Sequence, residues 1–237
     1  MSTPTKDPKE NQPKMTHLDT ELLVLKRNAL EMWDTVINQL QKARDVMGSG
    51  NRDLINEMAA GEKFIDAFEL KLDMDCENLL ALYSPVANDL RFVLAVLKIN
   101  YNLERIGDFA WSTAKSVRDL ETPLNKECME KTNILLMFDT AILMLKDAQD
   151  AFENSNNELA SSIFEKDKTL DVNNKGAVAR VADLIREDPT RMTNYLNLLT
   201  IIKKAERIGD HTKNIAEEII FYIEAKVLRH KRKKNKP

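Results

Sequence analysis

Apolar positions recur along most of the chain at every third or fourth residue. Leu22, Leu25, Leu30, Trp33, Ile37 and Leu40 are one such run, and that period places them on a single face of an α-helix. Sheet-type alternation of β-branched residues is absent over any useful length. Met47-Gly48-Ser49-Gly50-Asn51 interrupts the first helical run, and the pattern predicts a second helix from about Arg52 to Tyr83, ending at Ser84-Pro85. A third is expected from about Val86 to Leu120, before Glu121-Thr122-Pro123. Further breaks fall near Asn154-Ser155-Asn156 and Asp188-Pro189. Three helices are therefore expected, followed by three more, and their short connections imply antiparallel neighbours.

The second set repeats the first. Leu30-Glu31-Met32-Trp33-Asp34-Thr35-Val36-Ile37 aligns with Leu135-Leu136-Met137-Phe138-Asp139-Thr140-Ala141-Ile142, and the same register pairs Leu40 with Leu145, Asp45 with Asp150 and Asn51 with Asn156. Glu104-Arg105-Ile106-Gly107-Asp108 recurs unchanged as Glu206-Arg207-Ile208-Gly209-Asp210. Self-similarity at a fixed spacing marks a duplicated unit. The reading is all-α: two repeated antiparallel three-helix bundles, six long helices about a pseudo-twofold axis. A tail over 1–16, repeats over 17–122 and 123–228, and a basic tail over 229–237 complete the organisation.

Composition agrees with long helices. Among 237 residues there are only 6 Gly and 7 Pro, with 31% charged and 43% hydrophobic positions, so helix breakers are scarce and a sizeable core is affordable. No apolar run has the length of a membrane span, and the polar N-terminal stretch lacks the apolar core of a secretory signal. A cytoplasmic, soluble protein is expected. A net charge of −3 gives no general case for nucleic acid. The run Arg229-His230-Lys231-Arg232-Lys233-Lys234 is local, and peripheral contact with anionic lipid or an acidic partner face is its sharper reading, beside a solvated helix end. Cys76 and Cys128 have neither metal-ligand nor disulfide spacing.

Candidate chemistry lies in four acid-x-x-x-acid pairs at equivalent places in the two repeats. Glu62/Asp66 match Asp167/Asp171 on the second helix of each half, and Glu104/Asp108 match Glu206/Asp210 on the third. Spacing of four residues puts both carboxylates on one helix face. Like charges so placed cost about 0.2–0.5 kcal/mol per pair, so their repetition points to a neighbouring cation. Other pairs at this spacing read as solvated surface; Glu69/Asp73, for instance, faces Asn174/Val178 in the other half. Leu90, Leu94, Leu97 and Tyr101 form a stripe whose continuation carries Glu104 and Asp108, which predicts acids turned towards the bundle. Gly107 and Gly209 then admit either a metal or a close neighbouring helix. All-oxygen ligands suit magnesium, manganese or iron, and zinc accepts carboxylates too. No histidine accompanies the pairs at suitable spacing, which argues against an oxygen-activating di-iron enzyme. Arg105 and Arg207 are expected to pair with neighbouring acids. Trp33, Phe138, Met32, Met137 and Met144 are expected in the core, and Asp34 and Asp139 on the helix surface.

The duplicated Glu-Arg-Ile-Gly-Asp, with Pro85-Val86-Ala87-Asn88-Asp89-Leu90-Arg91 before the first copy and Asn214-Ile215-Ala216-Glu217-Glu218 after the second, resembles the PhoU family of phosphate-transport regulators. The resemblance spans roughly residues 17 to 226. It implies metal clusters, of iron or zinc, on the acidic motifs: Glu104, Asp108, Glu206 and Asp210, and with less distinctive flanks Glu62, Asp66, Asp167 and Asp171. It further implies a non-enzymatic negative regulator of phosphate uptake, acting between a phosphate ABC transporter and a sensor histidine kinase, with a homodimer expected. An accessory of a low-affinity phosphate permease, a metal-dependent hydrolase and a metal-free scaffold are the rival readings. The second repeat departs from the family pattern at Thr193-Asn194-Tyr195-Leu196 and at Asn173-Asn174-Lys175-Gly176, so the two metal sites need not be equivalent.

Overall fold

The computed structural model describes residues 15–120 and 122–225. The expected N-terminal tail, apart from Met15 and Thr16, and the basic run at 229–234 lie outside the described residues. Helix α1 spans His17–Ser49, α2 Arg52–Tyr83, α3 Ala87–Arg118, α4 Lys126–Thr132, α5 Ile134–Glu153, α6 Asn157–Glu187 and α7 Met192–Glu224, with a 3-10 turn at Pro189–Arg191. All the regular structure among the described residues is helical.

Local chemistry sets the ends of these helices. Thr16 and Asp19 form a reciprocal capping box, with the Thr16 hydroxyl accepting from the Asp19 N–H at 3.1 Å and the Asp19 carboxylate accepting from the Thr16 N–H at 2.8 Å. Asn51 accepts from the Asp53 N–H at 2.8 Å to open α2, and its repeat counterpart Asn156 accepts from the Leu159 N–H at 3.0 Å to open α6. Gly50 ends α1 at φ 60, the left-handed conformation that glycine adopts without strain.

One expected helix is divided. Asn133 has φ 57 and separates α4 from α5, whereas its counterpart Asn28 lies inside the continuous α1. Asn tolerates the left-handed conformation better than most residues with a side chain. The Asn133 amide also donates to Asn173 Oδ1 of α6 at 3.0 Å, which fixes the corner.

Each half holds its three strands of helix side by side, and the halves meet along α1 with α5 and α3 with α7. Helices α2 and α6 rest on the outer flanks, against α1 and α3 and against α5 and α7 respectively. One continuous apolar core runs through both halves and includes Trp33, Met32, Phe138, Met137 and Met144, all without solvent exposure. The Trp33 indole N–H donates to the Leu145 carbonyl across the junction at 3.0 Å. Arg44 Nε donates to Asp139 Oδ1 at 2.9 Å, and Gln149 Nε2 donates to Asp34 Oδ1 at 2.6 Å. Arg44 and Gln149 are repeat counterparts, as are Asp34 and Asp139, so these two contacts are one interaction repeated by the pseudo-twofold.

Candidate functional site

The acidic pairs meet across helix seams. In the first half Glu62 of α2 faces Gly107 and Asp108 of α3. A Cβ on Gly107 would lie 3.0 Å from Ile65 Cδ1 and 3.9 Å from Glu62 Oε2. In the second half a Cβ on Gly209 would lie 2.9 Å from Asp167 Oδ1 and in collision with Leu170 Cδ1. Ile65 and Leu170 are repeat counterparts, so each glycine serves chiefly to let the flanking helix approach, with one carboxylate beside the contact.

The depth of these acids differs from the expectation. The face of α3 that enters the core is Val93, Val96, Leu103, Ile106 and Ala110, each fully buried, while Tyr101 is 55% exposed. The stripe of Leu90, Leu94, Leu97 and Tyr101 is therefore the flank of α3, offset from its core face. Glu104 and Asp108 lie on this flank, half-buried at the seam with α2 and clear of the bundle centre. Both faces of α3 carry apolar residues, so a heptad stripe one position out of register also reads as a core face.

The first cluster is crowded with negative charge. Burial, a carboxyl–carboxyl hydrogen bond to Asp108 and the charges of Asp108 and Asp66 push Glu62 up to about 8. Burial and the charges of Asp108, Glu69 and Asp66, opposed by Arg105, push Glu104 up to about 7. Glu69, set aside for lacking a counterpart in the second repeat, belongs to the same field. Its carboxyl is raised by burial and by Asp73, Asp66 and Asp108. Glu62 Oε2 is buried and meets no hydrogen-bond donor among the described residues. Arg105 pairs with Asp108 at 2.6 Å and more loosely with Glu104 at 3.9 Å, as expected. Those contacts stay on α3 and do not bridge to α2.

The second cluster is neutralised from within. Lys213 Nζ lies 2.6 Å from Asp167 Oδ2 and 2.7 Å from Asp210 Oδ1, bridging α6 and α7. Burial opposes the ammonium charge, and the bonds to Asp167 and Asp210 outweigh it, so its pKa is raised. Asp167 is 3% exposed, and its carboxyl is raised because burial exceeds the help Lys213 gives. Glu206 is raised by burial and by Asp210. Arg207, the expected partner of these acids, is exposed. Lysine three residues after an aspartate normally reads as a surface pair, so Lys213 gave no sequence signal beyond its spacing.

His211 Nδ1 meets Asn102 Oδ1 of α3 at 2.9 Å, away from the acids, in keeping with its place one residue beyond Asp210. Cys76 and Cys128 are free and buried. Among the described residues, no three His, Cys, Asp or Glu groups already converge as a metal-ligand set. The first cluster nevertheless has the chemistry a hard cation needs: several carboxylates on two helices, mutual repulsion and a buried oxygen without a donor. Glu62, Asp66, Glu104 and Asp108 are the carboxylates this seam offers, with Glu69 adjacent. In the second cluster Lys213 already holds Asp167 and Asp210.

Comparison with known proteins follows the same architecture. The PhoU domain model matches residues 29–117 and 134–219, one span in each half. The phosphate-specific transport system accessory protein PhoU homolog of Pseudomonas putida is 30% identical over 229 residues, covering 93% of this chain and 88% of that protein. The accessory protein PhoU of Escherichia coli (strain K12) is 30% identical over 216 residues, covering 90% and 87%. The crystal structure of PhoU from Pseudomonas aeruginosa superimposes with a TM-score of 0.81 at 28% identity, covering 89% of this chain and all of that one. The phosphate transport system regulatory protein PhoU from Streptococcus pneumoniae gives the same TM-score at 26% identity, over 90% of this chain. Matched in both repeats, over nearly its whole length and in its three-dimensional fold, the chain belongs to the PhoU family.

Proposed function

We propose that this protein is a non-enzymatic accessory of a phosphate transport system that restrains phosphate uptake and the phosphate-starvation response. The observation that carries the reading is its end-to-end similarity to proteins named as phosphate-specific transport system accessory proteins. Absence of a membrane-crossing helix among the described residues is compatible with action on the cytoplasmic face of a transporter. In this role the protein is an adaptor between a phosphate ABC transporter and a sensor histidine kinase, working as a homodimer.

The acidic seams supply the means of control. Glu62, Asp66, Glu104 and Asp108 would hold a divalent or trivalent cation such as iron, zinc, manganese or magnesium. When bound, it would add the positive charge that Arg105, confined to α3, does not bring across to α2. Without it, Glu62 keeps its proton beside the Asp108 carboxylate and the flanking α2 is held to α3 by Ile65 packing at Gly107. With the charge neutralised, the same residues fix the α2 flank in one position and present a constant outer face to a partner.

Deletion of the gene in its host, with alkaline phosphatase activity measured in high phosphate, tests the regulatory role. Activity rises in the deletion strain and returns to the parental level on complementation. An unchanged level in high phosphate contradicts the proposal.

A further inference from the structure

The two halves answer the same electrostatic problem with different chemistry. Asp167 stands where the first repeat has Glu62, one methylene shorter, and the space beside it is taken by Lys213. The lysine side chain is only 13% exposed, and its Nζ reaches carboxylates on both helices of the seam. The position equivalent to Lys213 in the first half is Trp111, which is uncharged, and Arg105 there binds only acids of its own helix. Asp167 Oδ1 is buried within the second seam and without a donor among the described residues, although its other oxygen is satisfied. Each seam thus carries a buried carboxylate oxygen without a donor among the described residues, and in the second a cation bridges the two helices, whereas Arg105 in the first pairs within α3.

We propose that the duplicated clusters have diverged, with Lys213 the resident cation of the α6/α7 seam, excluding divalent metal from it and leaving the α2/α3 seam as the metal-accepting one. The inference rests on reading the clusters as cation sites. A metal entering the second seam must compete for Asp167 Oδ2 and Asp210 Oδ1, both already bonded to the ammonium. It must also bring two further positive charges next to a buried one, in surroundings that screen charge poorly. Removal of the lysine reverses both conditions. It leaves Asp167 buried without a counter-charge, and the seam then has the vacancy and the charge that a divalent ion needs.

Equilibrium dialysis against Mn2+ followed by elemental analysis tests this, with the thermal midpoint as a second readout. The first seam is neutralised by Glu62→Gln, Asp66→Asn, Glu104→Gln and Asp108→Asn, so that the second is read alone. This background takes up no Mn2+ at the second seam. Adding Lys213→Gln lowers the thermal midpoint without metal, restores it on Mn2+ addition and tightens Mn2+ retention at least tenfold. Lys213→Arg keeps the charge and stays metal-free. Mn2+ uptake by the background with Lys213 intact, or a folded Lys213→Gln variant that gains no Mn2+, overturns the proposal. Should Lys213→Gln not fold, Asp210→Asn in the otherwise unaltered chain gives the answer. Its Mn2+ content equals that of the unaltered chain, and a loss of metal overturns the assignment. Failure of the first seam to bind metal would appear separately, as an unaltered chain whose Mn2+ content does not fall on neutralising Glu62, Asp66, Glu104 and Asp108.

Discussion

At the scale of single residues, burial beside other carboxylates sets the behaviour of the first seam. The folded protein holds protons on Glu62 and Glu104 to about 8 and about 7, against 4.5 when unfolded. A raised carboxyl contributes stability that is complete below the unfolded pKa and is lost as pH climbs through the folded one. In chelator-treated protein the thermal midpoint therefore falls as pH rises from about 4.5 to about 8 and levels off above that, and Glu62→Gln flattens the fall. His211, pushed below 6.5 by burial, acts in the opposite direction below that pH, so the carboxyl effect is read most cleanly from pH 6.5 to pH 8. A slope unchanged by Glu62→Gln would assign the effect elsewhere. The two seam glycines provide a second comparison. Replacing helical glycine by alanine gains about 1 kcal/mol in propensity, whereas overpacking costs about 1–3 kcal/mol. Gly107→Ala meets a side-chain tip at 3.0 Å and stays near neutral, while Gly209→Ala strikes the fully buried Leu170 and the Lys213-held Asp167, and loses roughly 1–2 kcal/mol. Urea unfolding of both variants measures the difference, and equal losses would contradict the packing described.

Between residues and the whole, the helices show which signals are readable in a sequence. The breaks at Gly50-Asn51, Ser84-Pro85 and Asp188-Pro189 were legible because each carries a residue with a strong conformational bias, and the matched caps Asn51 and Asn156 made the repeat legible as well. The division at Asn133 was not. Its counterpart Asn28 sits in unbroken helix and donates to Asp75 at 3.2 Å, so one residue type serves two backbone conformations, and tertiary packing chooses between them. The α3 stripe misled for a related reason, since periodicity gives a helix its faces without saying which one a neighbour covers. Asn133→Gly preserves the left-handed conformation and loses only the amide bond to Asn173, whereas Asn133→Ala adds a strain of about 1–2 kcal/mol. Chemical denaturation should rank glycine above alanine at this position. The reverse order would mean that α4 and α5 are joined by something other than the Asn133 backbone.

The molecule as a whole is a duplicated object whose halves share one core and differ in their seams. Apolar contacts around Trp33 and Phe138, and the reciprocal bonds Arg44–Asp139 and Gln149–Asp34, keep the pseudo-twofold. Charge is where the repeats part. The eight acids were legible because they recur at matched positions. Glu69 and Lys213 were not, since neither has a counterpart of its own type and only the packing of α2 on α3 and of α6 on α7 brings them in. The α2/α3 carboxylates are proposed as a cation site on a phosphate-transport accessory protein. Elemental analysis of protein purified without chelator or affinity-column metal, beside a folded variant carrying Glu104→Gln and Asp108→Asn, tests it most directly. Stoichiometric iron, zinc or manganese in the unaltered chain, lost from the variant, is the predicted result. Metal absent from both after reloading, or retained equally by both, would contradict the claim and reduce the repeated acids to a charged outer face.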